Sequence, residues 1–121
     1  MSDKSKATVS DDFLKPYIEA LSERKAEDVM VLDVRGLTSY TDAFIIASGR
    51  STRQVSSIGQ HIDTEMKKKG VKAFSVDGLE EGRWVLLDYG DVIIHIFYDE
   101  VRRFYNLEGL WADARRVDLA V

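Results

Sequence analysis

The sequence predicts an α/β domain, a single mixed sheet of about five strands with flanking helices. Three observations carry that expectation. Short runs rich in β-branched residues alternate with segments of helical periodicity. The clearest helical segment repeats apolar residues at 55, 58, 62 and 66. Two apolar runs near residue 90 are separated by Gly90-Asp91, which marks a hairpin rather than a helical crossover.

In chain order, residues 1–10 are polar and read as a disordered lead-in. From Asp11, the residues Phe13, Leu14, Tyr17, Ile18 and Leu21 fall at helical spacing. Pro16 removes one backbone donor, so this helix must start near it or kink there. Val29–Val34 reads as a strand, and Ala43–Ser48 as a second one, apolar on both faces and therefore central. Ser51 is a natural N-cap for the helix carrying Val55, Ile58, Ile62 and Met66. Lys67, Lys68 and Lys69 complement its dipole at the C-terminal end, where Gly70 stops it. Val71–Val76 reads as a third strand. Arg83–Tyr89 and Val92–Phe97 read as the hairpin pair. Asp99 is expected to cap a final helix with Val101, Phe104, Tyr105 and Leu107. The domain is expected over 11–111, with 112–121 as a tail.

Composition narrows the function. The 121 residues include no cysteine and two histidines, which excludes thiol nucleophiles and Cys-ligated metal centres and leaves no cofactor or metal implied. Acidic residues outnumber basic ones by 21 to 17, against the basic excess that broad nucleic-acid binding requires and in favour of a basic protein partner. No apolar run reaches the roughly 18 residues of a membrane span, and the acidic opening has neither a signal-peptide core nor an organellar leader. A cytoplasmic protein is the expectation, with no membrane and no sequence-specific nucleic acid among its partners.

Each chemical motif has an ordinary structural reading beside it. Gly49-Arg50-Ser51 lies between strand and helix, yet lacks the phosphate-loop and dinucleotide fingerprints, so a capped turn explains it. Asp88 and Asp91 resemble a magnesium-binding pair but flank a turn, where aspartate bonds its own backbone. Nothing in the sequence places Asp33 or Asp42 beside them. His95, among apolar strand residues, has no nucleophile motif near it, and His61 reads as a helix-flank residue. The lysines at 67–72 read as a solvated helix end, and Arg102 and Arg103 as ion-pair partners of the acidic turns.

The segment 77–91 stands apart. It carries Asp77, Glu80, Glu81, Asp88 and Asp91 against Arg83 alone, and it contains Trp84. A tryptophan beside exposed acids has the anatomy of an interface anchor in a polar rim; a core tryptophan beneath a solvated acidic loop fits equally well.

Four blocks, taken together and in order, resemble the ribosomal silencing factor family, also called the Iojap family. They are D-V-R-G-L-T-S-Y-T-D at 33–42, F-I-I-A-S-G-R-S at 44–51, E-G-R-W-V-L-L-D-Y-G-D-V-I-I-H at 81–95 and R-R-F-Y-N-L-E-G-L-W at 102–111. The resemblance implies a nucleotidyltransferase-like fold without catalytic activity. It implies binding to the large ribosomal subunit through its basic ribosomal protein number fourteen, which blocks joining of the small subunit and represses translation. It further implies a homodimer and a part in large-subunit assembly. Carried over by motif, the partner-binding residues are Trp84, Asp88, Tyr89 and Asp91, with Tyr89 at a variable point of the pattern. No catalytic residue is implied. A cryptic nucleotidyltransferase using Asp88, Asp91 and the Gly49 turn, and an RNA-binding assembly factor using the lysines, are the rival functions.

Overall fold

A computed structural model describes residues 11–117. Its elements are α1 (Asp11–Glu23), β1 (Glu27–Asp33), β2 (Ala43–Gly49), α2 (Thr52–Lys68), β3 (Ser75–Asp77), β4 (Trp84–Asp88), β5 (Val92–Tyr98), α3 (Asp99–Tyr105), α4 (Leu107–Leu110) and β6 (Arg115–Arg116). The lead-in expected over 1–10 lies outside the described residues.

The six strands form one mixed sheet in the order β3-β4-β5-β2-β1-β6. Only β2 and β5 run parallel, and every residue of β2 is buried, as its apolar composition requires. The β4–β5 hairpin is antiparallel, as expected. Its connection is one residue longer than a Gly-Asp turn: β4 ends at Asp88, and the Tyr89 N–H donates to Val92 O at 2.9 Å. Gly90 sits there at φ +85°, and an added Cβ would meet the Phe74 ring at 2.8 Å.

Alternation sorts the strand residues onto two faces. On one, Val31, Ile45, Ile94, Ile96, Val85 and Leu87 pack under α1 and α2, which contribute Leu14, Leu21, Val55, Ile58, Ile62 and Met66. On the other, Leu32, Phe44, Ile46 and Phe97 pack under Val101, Leu107, Trp111 and Ala114. Helix α2 forms as its periodicity predicts, with Ser51 Oγ accepting from the Gln54 N–H at 3.0 Å. Helix α1 runs through Pro16.

Four expectations are corrected. The third strand is not Val71–Val76 but Ser75–Asp77, because the Val71 N–H turns back to Met66 O at 2.8 Å and finishes the helix end. Asp99 does not cap the final helix: Tyr98 holds the N-cap position without a side-chain bond, and Asp99, inside the helix, pairs with Arg103. That helix breaks at Asn106, in the left-handed region at φ 49°, giving two short helices instead of one. The sheet has six strands rather than about five, because Arg115 and Arg116, in the segment read as a tail, pair with Asp33 and Leu32 of β1.

Candidate functional site

Along β4 the side chains of Trp84, Leu86 and Asp88 share the face away from α1 and α2, while Val85, Leu87 and Tyr89 join the core beneath those helices. Trp84 is half-buried. Its indole lies 4.8 Å from the Phe97 ring and 5.0 Å from the Tyr105 ring, and its Nε1–H donates to His95 Nδ1 at 3.1 Å. One side of the ring is packed and the residue still reaches the surface, so Trp84 is not a fully enclosed core tryptophan.

An indole nitrogen only donates, so His95 Nδ1 must be the bare nitrogen and Nε2 must carry the proton. Nε2 is buried without a partner among the described residues. Burial holds the imidazole neutral, with its pKa lowered from 6.5 to about 4. His95 is thus a structural acceptor that fixes the ring orientation of Trp84.

Next to this pair, the cross-strand partners Leu86 and His95, and Asp88 and Ile93, continue the same face. Leu86 and Ile93 are half-buried: Tyr105 of α3 reaches Trp84, and the row is left only partly covered. Tyr105, beside Trp84, is 50% exposed. The result is a half-open apolar strip from Trp84 to Ile93.

The acids lie on short, fixed connections at the two ends of β4, Asp77, Glu80 and Glu81 before it and Asp88 and Asp91 at and beyond its end. The loop between β3 and β4 is pinned to α2 by Ser56 Oγ–H donating to Leu79 O at 2.6 Å, and by Gly82 at φ +70°, where an added Cβ would strike Thr52 O at 2.1 Å. Glu80 and Glu81 are thereby held exposed on a rigid loop. Asp88 Oδ1 accepts from the Gly90 N–H at 2.8 Å, the turn role expected of it. Asp91 is exposed, and its carbonyl accepts from the Asp42 N–H at 3.1 Å. Asp42 is therefore beside the turn after all, brought there by the parallel β2–β5 pairing.

Trp84 and Asp88 thus share a face, and Asp91 lies beyond the strand end. Tyr89 is elsewhere: it is 8% exposed, on the opposite face, with its ring 5.1 Å from Tyr17. Burial, with the Asp63 charge second, pushes its phenol well above the usual range. Leu86, Ile93 and His95 complete the patch and were not singled out by motif; counting alternate residues from Trp84 and registering the hairpin identifies them.

The other candidates settle into local roles. The Gly49 turn directs its Arg50 N–H to Gln54 Oε1 at 2.6 Å, and Arg50 pairs with Glu27. Lys67 and Lys68 pair with Asp63 and Glu65 on their own helix, and His61 bonds Glu23 at 2.7 Å. Arg102 and Arg103 bond Glu108 and Asp99, not the acidic turns as expected. Among the described residues, no cluster of three His, Asp or Glu side chains is placed to hold a metal ion, and no helix is long and apolar enough to cross a membrane.

Residues 7–121 match the family described as "Ribosomal silencing factor during starvation". Ribosomal silencing factor RsfS of Bacillus subtilis is 40% identical over 106 residues, covering 88% of this chain and 90% of the relative. The chloroplast protein Iojap of Arabidopsis thaliana is 37% identical over 118 residues, 93% of this chain and 49% of that longer protein. A crystal structure of a Chromobacterium violaceum protein superposes with a TM-score of 0.81 at 37% identity, covering 91% of each chain.

Proposed function

The chain belongs to the ribosomal silencing factor family, and from that premise we propose that it represses translation by occupying the large ribosomal subunit. The half-open strip of Trp84, Leu86 and Ile93 docks on the basic ribosomal protein number fourteen, and the bound factor blocks joining of the small subunit. The observation that carries this reading is a half-open apolar patch with an aromatic anchor, sharing its face with Asp88 and flanked along the chain by carboxylates on the turns at both ends of β4. Such a patch supplies desolvated contact area at its centre, while the rim steers a basic partner and excludes acidic ones.

The proposal requires no chemistry from the chain: it acts by occupancy, in the cytoplasm, and it is not an enzyme. Self-association is part of it. Phe104, 80% exposed, and Leu110 extend the apolar surface along α3 and α4, and a second copy covers them in a homodimer. A role in large-subunit assembly follows from the same docking, if it precedes subunit joining.

The test is direct capture of purified ribosomal protein number fourteen by the full chain, with protein-free ribosomal RNA as competitor. Binding to the protein, unaffected by RNA, is expected. Binding to RNA alone overturns the reading. Light scattering across a concentration series checks the dimer, which a strict monomer at high micromolar concentration would exclude.

A further inference from the structure

Away from the Trp84 strip, an open groove of about 940 Å³ lies where the start of β1 meets α3 and α4. Its floor is Arg102, which is 7% exposed. The Arg102 Nε–H donates to Glu108 Oε2 at 2.9 Å, and Nη1 donates to the Asp28 carbonyl at 2.9 Å and to Ser48 Oγ at 2.7 Å. Three of its five N–H groups are thus used, and the Nη2 pair has no protein acceptor among the described residues. Burying a guanidinium is costly unless every face of it is matched. Here one face is left for a ligand.

Arg103 and Arg116 line the same groove; Arg103 is paired with Asp99, which also lines it, while Arg116 has no ion-pair partner among the described residues. Glu108 Oε1 is a buried acceptor without a donor. Two of the three non-glycine residues with positive φ, Asp28 at 51° and Asn106 at 49°, line this groove. Asp28 also sits where the β1–β2 register shifts between Glu27 and Met30. Bulges and left-handed non-glycine residues are costly conformations that gather at binding sites. These features meet at one place outside the docking strip.

We propose that this groove binds a nucleoside phosphate. The phosphate takes the Nη2 donors of Arg102 between the flanking Arg103 and Arg116, the bidentate geometry at which arginine excels. Ribose hydroxyl or base amino donors face the carboxylates of Asp28 and, after rotation of its side chain, Glu108. The half-buried Met30, on the α3/α4 side of the sheet, gives the base an apolar wall. The groove is far larger than a free phosphate requires and within the range of small-molecule sites, roughly 300–1,000 Å³. Both free donors and free acceptors line it, so a ligand carrying an anion and hydroxyl or amino groups matches it, whereas a bare anion leaves the carboxylates unmatched.

Calorimetric titration of the full chain with purine nucleoside mono-, di- and triphosphates tests this, with inorganic phosphate, the unphosphorylated nucleoside and a short single-stranded RNA as parallel arms. At least one nucleotide is expected to bind, with phosphate and nucleoside each weaker by tenfold or more. Arg116→Ala, which leaves the backbone pairing of β6 intact, and Arg103→Ala should each weaken binding by roughly tenfold. Arg53→Ala on the exposed face of α2 should not change it. The proposal fails if no nucleotide binds at millimolar concentration to protein that melts normally, if phosphate binds as tightly as nucleotide, or if neither arginine variant weakens binding. Tighter binding of the RNA with the same arginine dependence also overturns it, by making the groove a nucleic-acid contact. None of these outcomes bears on docking through Trp84.

Discussion

The two faces of the sheet are built from the same kinds of residue and finished differently. Under α1 and α2 the strand side chains are fully covered, and the residues that touch them, from Leu14 to Met66, are apolar. Under α3 and α4 the cover is short, and it leaves the row from Trp84 through Leu86 to Ile93 half-open. The closed face determines whether the chain folds. The other face has apolar area in hand for something else, and it keeps Trp84 oriented with a histidine acceptor and neighbouring rings rather than by full enclosure.

The comparison breaks most sharply at Ile94, fully buried on the closed face. Ile94→Ala should cost about 2–5 kcal/mol of folding stability, read as a lowered denaturant midpoint. Binding to the large subunit by the remaining folded fraction should be unchanged. A variant that folds as the parent does would show that this face is less closed than described.

Titration separates the faces next. His95, on the open side, is neutral when folded, with its pKa lowered from 6.5 to about 4 by burial. Between those values the unfolded chain binds a proton that the folded chain refuses. Stability is therefore complete above about pH 6.5 and falls as the pH drops toward 4, by roughly 3 kcal/mol in all. Tyr17 and Tyr89, on the closed side, have raised pKa values, so their contribution is intact below pH 10 and lost as the pH rises beyond it. Equilibrium unfolding across the pH range checks both limbs, and His95→Asn should flatten the acid limb only.

Trp84→Ala sharpens the contrast between folding and docking. It should weaken binding to the large subunit by more than about 2 kcal/mol, over thirtyfold. Its folding cost is held to roughly 1–3 kcal/mol because the ring is only half-buried, although its loss leaves the buried His95 Nδ1 without a donor. Melting and gradient co-sedimentation on one preparation measure the two costs side by side. A variant that melts far lower yet still co-sediments would place the docking surface elsewhere. The smallest expected effect is kinetic: added salt should slow association through the acids at 77–91, because screening acts over a length of about 8 Å at physiological ionic strength. A salt-independent rate would make those acids bystanders.

Much of this was legible in the residues. Helix α2 could be read because its period, cap and stop agree, and β2 because nothing in it tolerates water. Strand β6 could not: Arg-Arg has no strand signature, and backbone pairing to β1 alone defines it. Val71–Val76 misled because its composition is strand-like while the first residue is committed to ending a helix. At the candidate site the motif grouped Tyr89 with Trp84, although alternation already separates 84, 86 and 88 from 85, 87 and 89. The Trp84–His95 bond needed the hairpin register, which places Trp84 opposite Phe97 and so diagonal to His95. The buried end of Arg102 was invisible, since it depends on a bulge, a strand end and a helix break meeting in space.

The pairing of β6 with β1 also bears on how the chain is made. The Val117 N–H donates to Val31 O at 2.9 Å, and Arg115 and Arg116 pair with Asp33 and Leu32, so contacts between widely separated parts of the sequence cover the C-terminal end of the β1 edge. Such non-local closure is slow relative to hairpin formation. During synthesis, β1 therefore keeps an unpaired edge until residues 115–117 have emerged, while the β4–β5 hairpin is free to form earlier. The nascent chain passes through a stage with one open strand edge, the state most prone to pairing with a neighbour's strand.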